Sequence, residues 1–268
     1  MPELPEIETI RTSLAINIGA SITSIDVKRD DIMRREDFPP DELYGQPITE
    51  IRRRGKYLAF LLGNGLYLVV HLGMSGRFYM QPEAEEISAP HVHFIVYLDN
   101  GRKLLYQDAR RFGGIWLCRD TERLFALMGV EPLSGKFTTG YLAKIAENRK
   151  VAIKTLLLNQ QLISGIGNIY ADESLFAAGI RGDRPAGSLT AAEIKRLHRA
   201  IVKVLKKSIQ ERGTTFRDFR DGFNRSGNFQ NSLQVYGKDK QACTVCGGII
   251  KKEKIGGRSS HFCERCQK

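Results

Sequence analysis

Apolar residues recur at helical spacing near the start of the chain, where Ile7, Ile10, Leu14 and Ile18 follow a proline at position 5, with Glu6 and Glu8 at the start of the pattern. Proline and acids suit a first helical turn, so a short amphipathic helix is predicted from Pro5 to about Ile18. The pattern then changes period. Runs such as KYLAFLL, LYLVVHL and HFIVYLD are rich in β-branched and aromatic residues, and Asn64-Gly65 and Asn100-Gly101 punctuate them as hairpin turns. Residues 20 to about 120 are therefore expected to form antiparallel sheet. Near GVEPLSGKF, residues 129–137, Pro and Gly interrupt the pattern, and helical periodicity follows across 141–180 and 190–211. The stretch 212–232, carrying Gly, Arg and Asn, reads as a long loop. The expected class is α+β in two domains: an N-terminal antiparallel β-sandwich flanked by helices over 1–130, and a helical domain over 138–232 followed by a cysteine-bearing segment over 233–268.

Composition narrows the class of partner. No run of residues approaches the roughly 18 apolar positions that a membrane span requires. Acids stand in MPELPEIETI where a signal peptide would carry lysines, which predicts a cytoplasmic protein. The formal charge is +11, and residues 201–268 hold 15 Lys or Arg against 6 Asp or Glu, so most of the excess lies in the last quarter. A basic segment of this kind fits phosphate, because neutralised phosphates release counterions. Four of the five cysteines form Cys243-x2-Cys246 and Cys263-x2-Cys266. Two such knuckles place four thiolates around one structural Zn²⁺ and leave no coordination position for a substrate. Cys118 stands alone and is expected to be a buried small hydrophobe.

Candidate chemistry begins at PELPE. With Met1 removed, Pro2 presents a secondary amine, and an α-amine is neutral at physiological pH far more often than a lysine. Attack on an aldehyde-like sugar carbon yields an iminium, an electron sink that drives loss of a base and then of phosphate. Glu3 and Glu6 are placed to act as general acid and base, although the same residues also make an ordinary helix start. Arg52, Arg53, Arg54 and Lys56 precede a strand and either meet a phosphate backbone or form a solvated charge run. HLGMSGRF and DARRFGG set Met74, Arg110 and Phe112 on glycine-flanked loops, where they suit wedges that fill the gap left by an extruded base. His91 and His93, two apart on an expected strand, would face one side as a zinc pair or a phosphate contact. SGIGN at 164–168 turns sharply into a helix starting at Asn168, a phosphate cradle or a packing feature.

Taken together, these segments resemble the bacterial formamidopyrimidine-DNA glycosylase (MutM) family from PELPE to CERCQK. The resemblance implies that Pro2 is a Schiff-base nucleophile, Glu3 a proton donor and Lys56, in RRRGKY, a lysine assisting elimination. It implies that Met74, Arg110 and Phe112 fill the vacated space. His71 and His91 carry over as DNA contacts, although Pro90-His91-Val92-His93 departs from the family's KHDH. Arg149, Lys154 and Asn168 match phosphate-holding positions, SGIGNIYADE looks like a helix-two-turn-helix, and the last segment resembles a zinc-finger β-hairpin with Arg258 at its tip, implicated in the second elimination. LLLNQ at 156–160 has Asn where many members have Asp. The implied activity is removal of 8-oxoguanine and formamidopyrimidines from double-stranded DNA, followed by strand cleavage, by a monomer associated with the bacterial nucleoid. A sibling branch, the endonuclease VIII type, usually has PEGPE and lacks a base-capping loop like residues 214–237. The other class to weigh is a zinc-dependent DNA-binding protein without catalysis; charge and zinc fit it equally, but Pro2, Glu3, Lys56 and the wedge loops do not.

Overall fold

In the computed structural model, which describes residues 2–216 and 219–268, the strands pair into a sandwich because one face of each is apolar. Met1, on whose removal a free Pro2 amine depends, lies outside the described residues, as do Arg217 and Asp218 of the expected base-capping loop. Helix α1 (Leu4–Leu14) is followed by β1 (Ile22–Val27), β2 (Met33–Glu36), β3 (Ile48–Arg54), β4 (Tyr57–Leu62), β5 (Tyr67–His71), β6 (Arg77–Pro82), β7 (Val92–Leu98), β8 (Arg102–Gln107) and β9 (Gly114–Cys118). The strands form a four-stranded sheet in the order β1-β7-β8-β6 and a five-stranded sheet in the order β2-β9-β5-β4-β3. Leu58, Phe60 and Leu62 of β4, Leu68 and Val70 of β5, Phe94, Val96 and Leu98 of β7, Leu104 and Tyr106 of β8, and Ile115 and Leu117 of β9 are buried in one cluster. Each set alternates along its strand, as a half-buried strand requires. Ile7, Ile10 and Leu14 of α1 join the same core.

Two expectations change here. The pairing is not all antiparallel, since β2 runs parallel to β9. Period-two patterning shows which face a strand buries but not the direction of its neighbour. The helix also stops short of Ile18: α1 ends at Leu14, a single 3-10 turn covers Ala15–Asn17, and Ile18 is exposed.

The chain divides into two compact units, one of residues up to Ala126 with Glu211–Gln230, the other of Leu127–Gln210 with Asn231–Lys268. The expected helical domain over 138–232 is therefore interrupted. The segment after residue 210 returns to the sandwich because Phe219 is buried in its core and the Gly222 carbonyl accepts the Met80 N–H, 2.8 Å, on the edge strand β6. Covering an edge satisfies backbone groups that would otherwise face solvent.

The second unit contains α3 (Thr139–Ala146), α4 (Ile153–Leu158), α5 (Asn168–Ala178), α6 (Ala191–Gln210) and the hairpin β10 (Lys251–Ile255) and β11 (Arg258–Phe262); the short α2 (Glu122–Phe125) closes the first. Ile194, Leu197, Ile201 and Leu205 bury one face of α6 at helical spacing. Tyr170 of α5 and Ser208 of α6 share a hydroxyl hydrogen bond of 2.6 Å. Gly179, with φ of +69°, ends α5 in the left-handed conformation that favours glycine.

Candidate functional site

The first unit carries the proposed nucleophile. Pro2 is buried at the entry to α1, where Glu3 is the N-cap and forms a capping box with Glu6. Both Glu6 oxygens accept main-chain donors: Oε2 takes the Glu3 N–H at 2.8 Å and Oε1 the Thr214 N–H at 2.7 Å. A buried carboxylate used in this way fixes backbone, and it ties the N-terminal segment to the start of the returning loop. Gly213 is required beside it, since φ is +77° and a Cβ would lie 2.9 Å from Glu6 Oε1. Among the basic residues of β3, Arg53 donates from Nε to Glu8 of α1 at 2.9 Å, and Arg52 pairs with Glu50 at 2.5 Å. These two arginines are thus engaged within the unit.

Lys56 occupies the second position of the two-residue turn between β3 and β4, with Gly55 at positive φ before it. Although it stands at a hairpin tip it is buried, and its charge acts on His71. Burial first, and Lys56 second, pull the His71 imidazole down to about 4. Its Nδ1 accepts the Gly73 N–H at 3.2 Å and its ring lies 4.6 Å from that of Tyr57, so His71 is a neutral, fixed ring at the start of the loop that carries Met74.

Two loops of this unit project apolar side chains into solvent: Met74 is 42% exposed and Phe112 61%. Arg110, also exposed, has its guanidinium carbon 5.6 Å from the Phe112 ring centroid. Of His91 and His93, only the second lies on a strand. His91 precedes β7, has φ of +63° and is exposed, whereas His93 is buried with Nε2 3.1 Å from the Asp108 carbonyl oxygen. The two rings nevertheless lie on one side, with centroids 6.3 Å apart, so the left-handed residue before the strand keeps the pair together. Cys118 is buried in β9, and burial pushes its thiol up to about 11.

In the second unit, Arg149 is exposed on the connection between α3 and α4. Asn168 is the first residue of α5 and donates from Nδ2 to the Ser259 carbonyl at 2.9 Å. Arg258 follows the Gly256-Gly257 turn of β10–β11, where both glycines have positive φ, and is exposed at the hairpin tip. Lys154 does not occupy a phosphate-facing position. It is 0% exposed, and its Nζ lies 2.6 Å from Asp172, 2.7 Å from the Ser259 carbonyl and 2.6 Å from Ser260 Oγ. Asp172 in turn accepts the His261 N–H at 2.9 Å. The lysine is a buried anchor joining α4, α5 and the hairpin that carries Arg258.

Cys243, Cys246, Cys263 and Cys266 converge with their sulfurs within 4.8 Å of one another. Cross-knuckle separations are 3.8 Å for Cys243–Cys266 and 3.4 Å for Cys246–Cys263. Tetrahedral zinc with Zn–S bonds of about 2.3 Å places its sulfurs roughly 3.8 Å apart, so the donor set fits this ion.

Three family models match in chain order: the formamidopyrimidine-DNA glycosylase N-terminal domain over residues 1–115, the formamidopyrimidine-DNA glycosylase H2TH domain over 128–220, and the zinc finger found in FPG and IleRS over 240–268. The chain belongs to the formamidopyrimidine-DNA glycosylase family. A formamidopyrimidine-DNA glycosylase of Syntrophomonas wolfei is 57% identical across all of both chains. The MutM (FPG) protein of Thermus thermophilus is 37% identical and superposes with a TM-score of 0.89 over 99% of this chain and 98% of its own. Lactococcus lactis Fpg, solved in complex with DNA containing an abasic site, is 34% identical with a TM-score of 0.91 over 99% of both. As in the family description, the cysteine cluster is a zinc finger holding one structural zinc.

Four contributors were not visible beforehand. Asp108, Ser75, Asp172 and Thr214 organise the glycosylase-family segments through buried hydrogen bonds. Asp108 and Ser75 lie inside the DARRFGG and HLGMSGRF motifs, and an Asp two residues before a turn arginine is a recognisable turn former. Asp172 and Thr214 carry no local signal, because their partners are distant in the chain.

Proposed function

We propose that this chain excises oxidised purines, 8-oxoguanine and formamidopyrimidines, from duplex DNA and cleaves the strand at the resulting abasic site. The Pro2 nitrogen attacks C1′ of the damaged nucleotide, the base leaves, and the opened sugar remains as an iminium. Loss of a C2′ proton then expels the 3′ phosphate by breaking C3′–O3′, and loss of a C4′ proton expels the 5′ phosphate by breaking C5′–O5′. Glu3 supplies the proton to the sugar ring oxygen O4′ as the C1′–O4′ bond opens, Lys56 assists elimination, and Arg258 serves the second one. Met74, Arg110 and Phe112 occupy the space of the extruded nucleotide, while His71, His91, Arg149 and Asn168 contact DNA. Glu6 acts by positioning, because both of its oxygens accept backbone donors. Lys154 supports the hairpin rather than a phosphate.

The observation that carries this reading is the buried Pro2 at a reciprocally capped helix start, in the same unit as two exposed wedge loops. The names of the relatives support formamidopyrimidine as substrate, and a cytoplasmic, nucleoid-associated location accords with it. No helix among the described residues is long and apolar enough to cross a membrane. The test is borohydride trapping on a duplex carrying 8-oxoguanine. The Met1-processed protein is expected to form a covalent adduct mapping to Pro2, and a form with one residue retained before Pro2 is expected to form none. Equal trapping of both forms would exclude the amine mechanism.

A further inference from the structure

The two loops that carry Met74 and Phe112 are joined through a buried carboxylate. Asp108, 0% exposed, accepts four donors: Ser75 Oγ at 2.6 Å and the Arg110 N–H at 3.3 Å on Oδ1, and the Gly113 N–H at 3.0 Å and Tyr106 hydroxyl at 3.2 Å on Oδ2. None of these donors is cationic, and no Lys or Arg side chain forms an ion pair with Asp108 among the described residues. Ser75 also accepts Arg110 Nε at 3.2 Å, so a hydrogen-bond chain runs from the guanidinium through the hydroxyl to the carboxylate. The loop backbones are in direct contact. A Cβ on Gly73, at φ of +57°, would fall 2.4 Å from the Gly113 nitrogen, and one on Gly113 would fall 2.2 Å from the His71 oxygen. From the other side Arg34 donates to the Gly113 and Arg111 carbonyls, each at 2.8 Å.

We infer that Asp108 and Ser75 are positioning residues that make the Met74 and Arg110–Phe112 loops a single preformed wedge and set the direction of the Arg110 guanidinium. With Nε held by Ser75 and the guanidinium beside the Phe112 ring, the terminal nitrogens form no hydrogen bond among the described residues and keep their donors for a ligand. On the wedge reading, an extruded nucleotide leaves its opposite base facing this loop, and a fixed guanidinium would discriminate bases by the acceptors they offer. Four donors need two acceptor oxygens, so an asparagine at 108 leaves an amide group facing donors. This inference rests on the wedge reading above.

Its test uses full-length protein and duplexes with 8-oxoguanine opposite cytosine or adenine. Ser75→Ala is expected to narrow the cytosine-to-adenine ratio of kcat/KM about two- to tenfold. Ser75→Thr, which keeps the hydroxyl, is expected to restore it. Asp108→Asn is expected to slow extrusion, read by 2-aminopurine fluorescence beside the lesion, and to slow base excision more than cleavage of a preformed abasic site. Active enzyme is normalised by borohydride trapping on abasic DNA, so a loss of folded protein leaves the opposite-base ratio unmoved. An unchanged ratio in Ser75→Ala overturns the inference. If Met74→Ala and Phe112→Ala also leave extrusion intact, the wedge reading itself fails; if they abolish it while Ser75→Ala and Asp108→Asn do nothing, only the inference fails.

Discussion

Replacing Lys154 by Met leaves the Asp172 carboxylate buried with its cation gone and removes donors from the Ser259 carbonyl and Ser260 hydroxyl. Breaking a buried ion pair from one side costs about 3–5 kcal/mol, since the remaining charge stays desolvated. For a unit of roughly 120 residues that corresponds to a fall of roughly 10–30 °C in melting temperature. The measurement is a thermal melt of zinc-loaded protein. In the double variant Lys154→Met with Asp172→Asn, which removes the stranded charge and keeps an acceptor for the His261 N–H, more than half of the loss is expected to return. DNA binding separates this role from a phosphate contact. Losing an exposed phosphate contact, as in Arg149→Ala, is expected to reduce the slope of log affinity against log salt by about 1. Lys154→Met is expected to weaken binding with no change in that slope. A melt within a degree of the parent, together with a slope reduced by about 1, would refute the anchoring argument and return Lys154 to the DNA surface.

Purified protein is expected to hold one zinc per chain, and chelation is expected to release the β10–β11 hairpin and abolish DNA binding; full binding after complete zinc removal would contradict a structural role. Glu6→Gln substitutes an amide for one of two oxygens that both accept N–H groups, so it is expected to destabilise the first unit by about 1–3 kcal/mol and to slow borohydride trapping, with zinc content unaltered. An unchanged trapping rate would argue against positioning by Glu6. Because His71 is held at about 4 against an ordinary 6.5, the unfolded chain binds a proton that the folded chain does not as pH falls between these values. Stability is expected to decline from about pH 6.5 towards about 4, and His71→Gln to flatten that part of a urea-denaturation profile; an identical profile would count against the burial argument.

How much could be read in advance depends on how far apart the interacting residues lie. The sandwich faces were legible because Leu58, Phe60 and Leu62, or Phe94, Val96 and Leu98, alternate within a single strand. The zinc site was legible because four cysteines carry their ligand spacing locally, and the exposure of Met74 and Phe112 followed from glycine-flanked loops that offer no core to enter. Residue chemistry at the N-terminus and its family resemblance pointed to Pro2 and Glu3. Tertiary structure alone decided the parallel pairing of β2 with β9, the return of Glu211–Gln230 to the first unit, the left-handed His91 and the burial of Lys154. The physical reason is that periodicity encodes which face of an element avoids water, whereas the state of a charge depends on partners. Lys154 finds its carboxylate in α5 and its carbonyl at Ser259, more than a hundred residues along the chain, and nothing in the local sequence distinguishes it from a lysine reaching for phosphate.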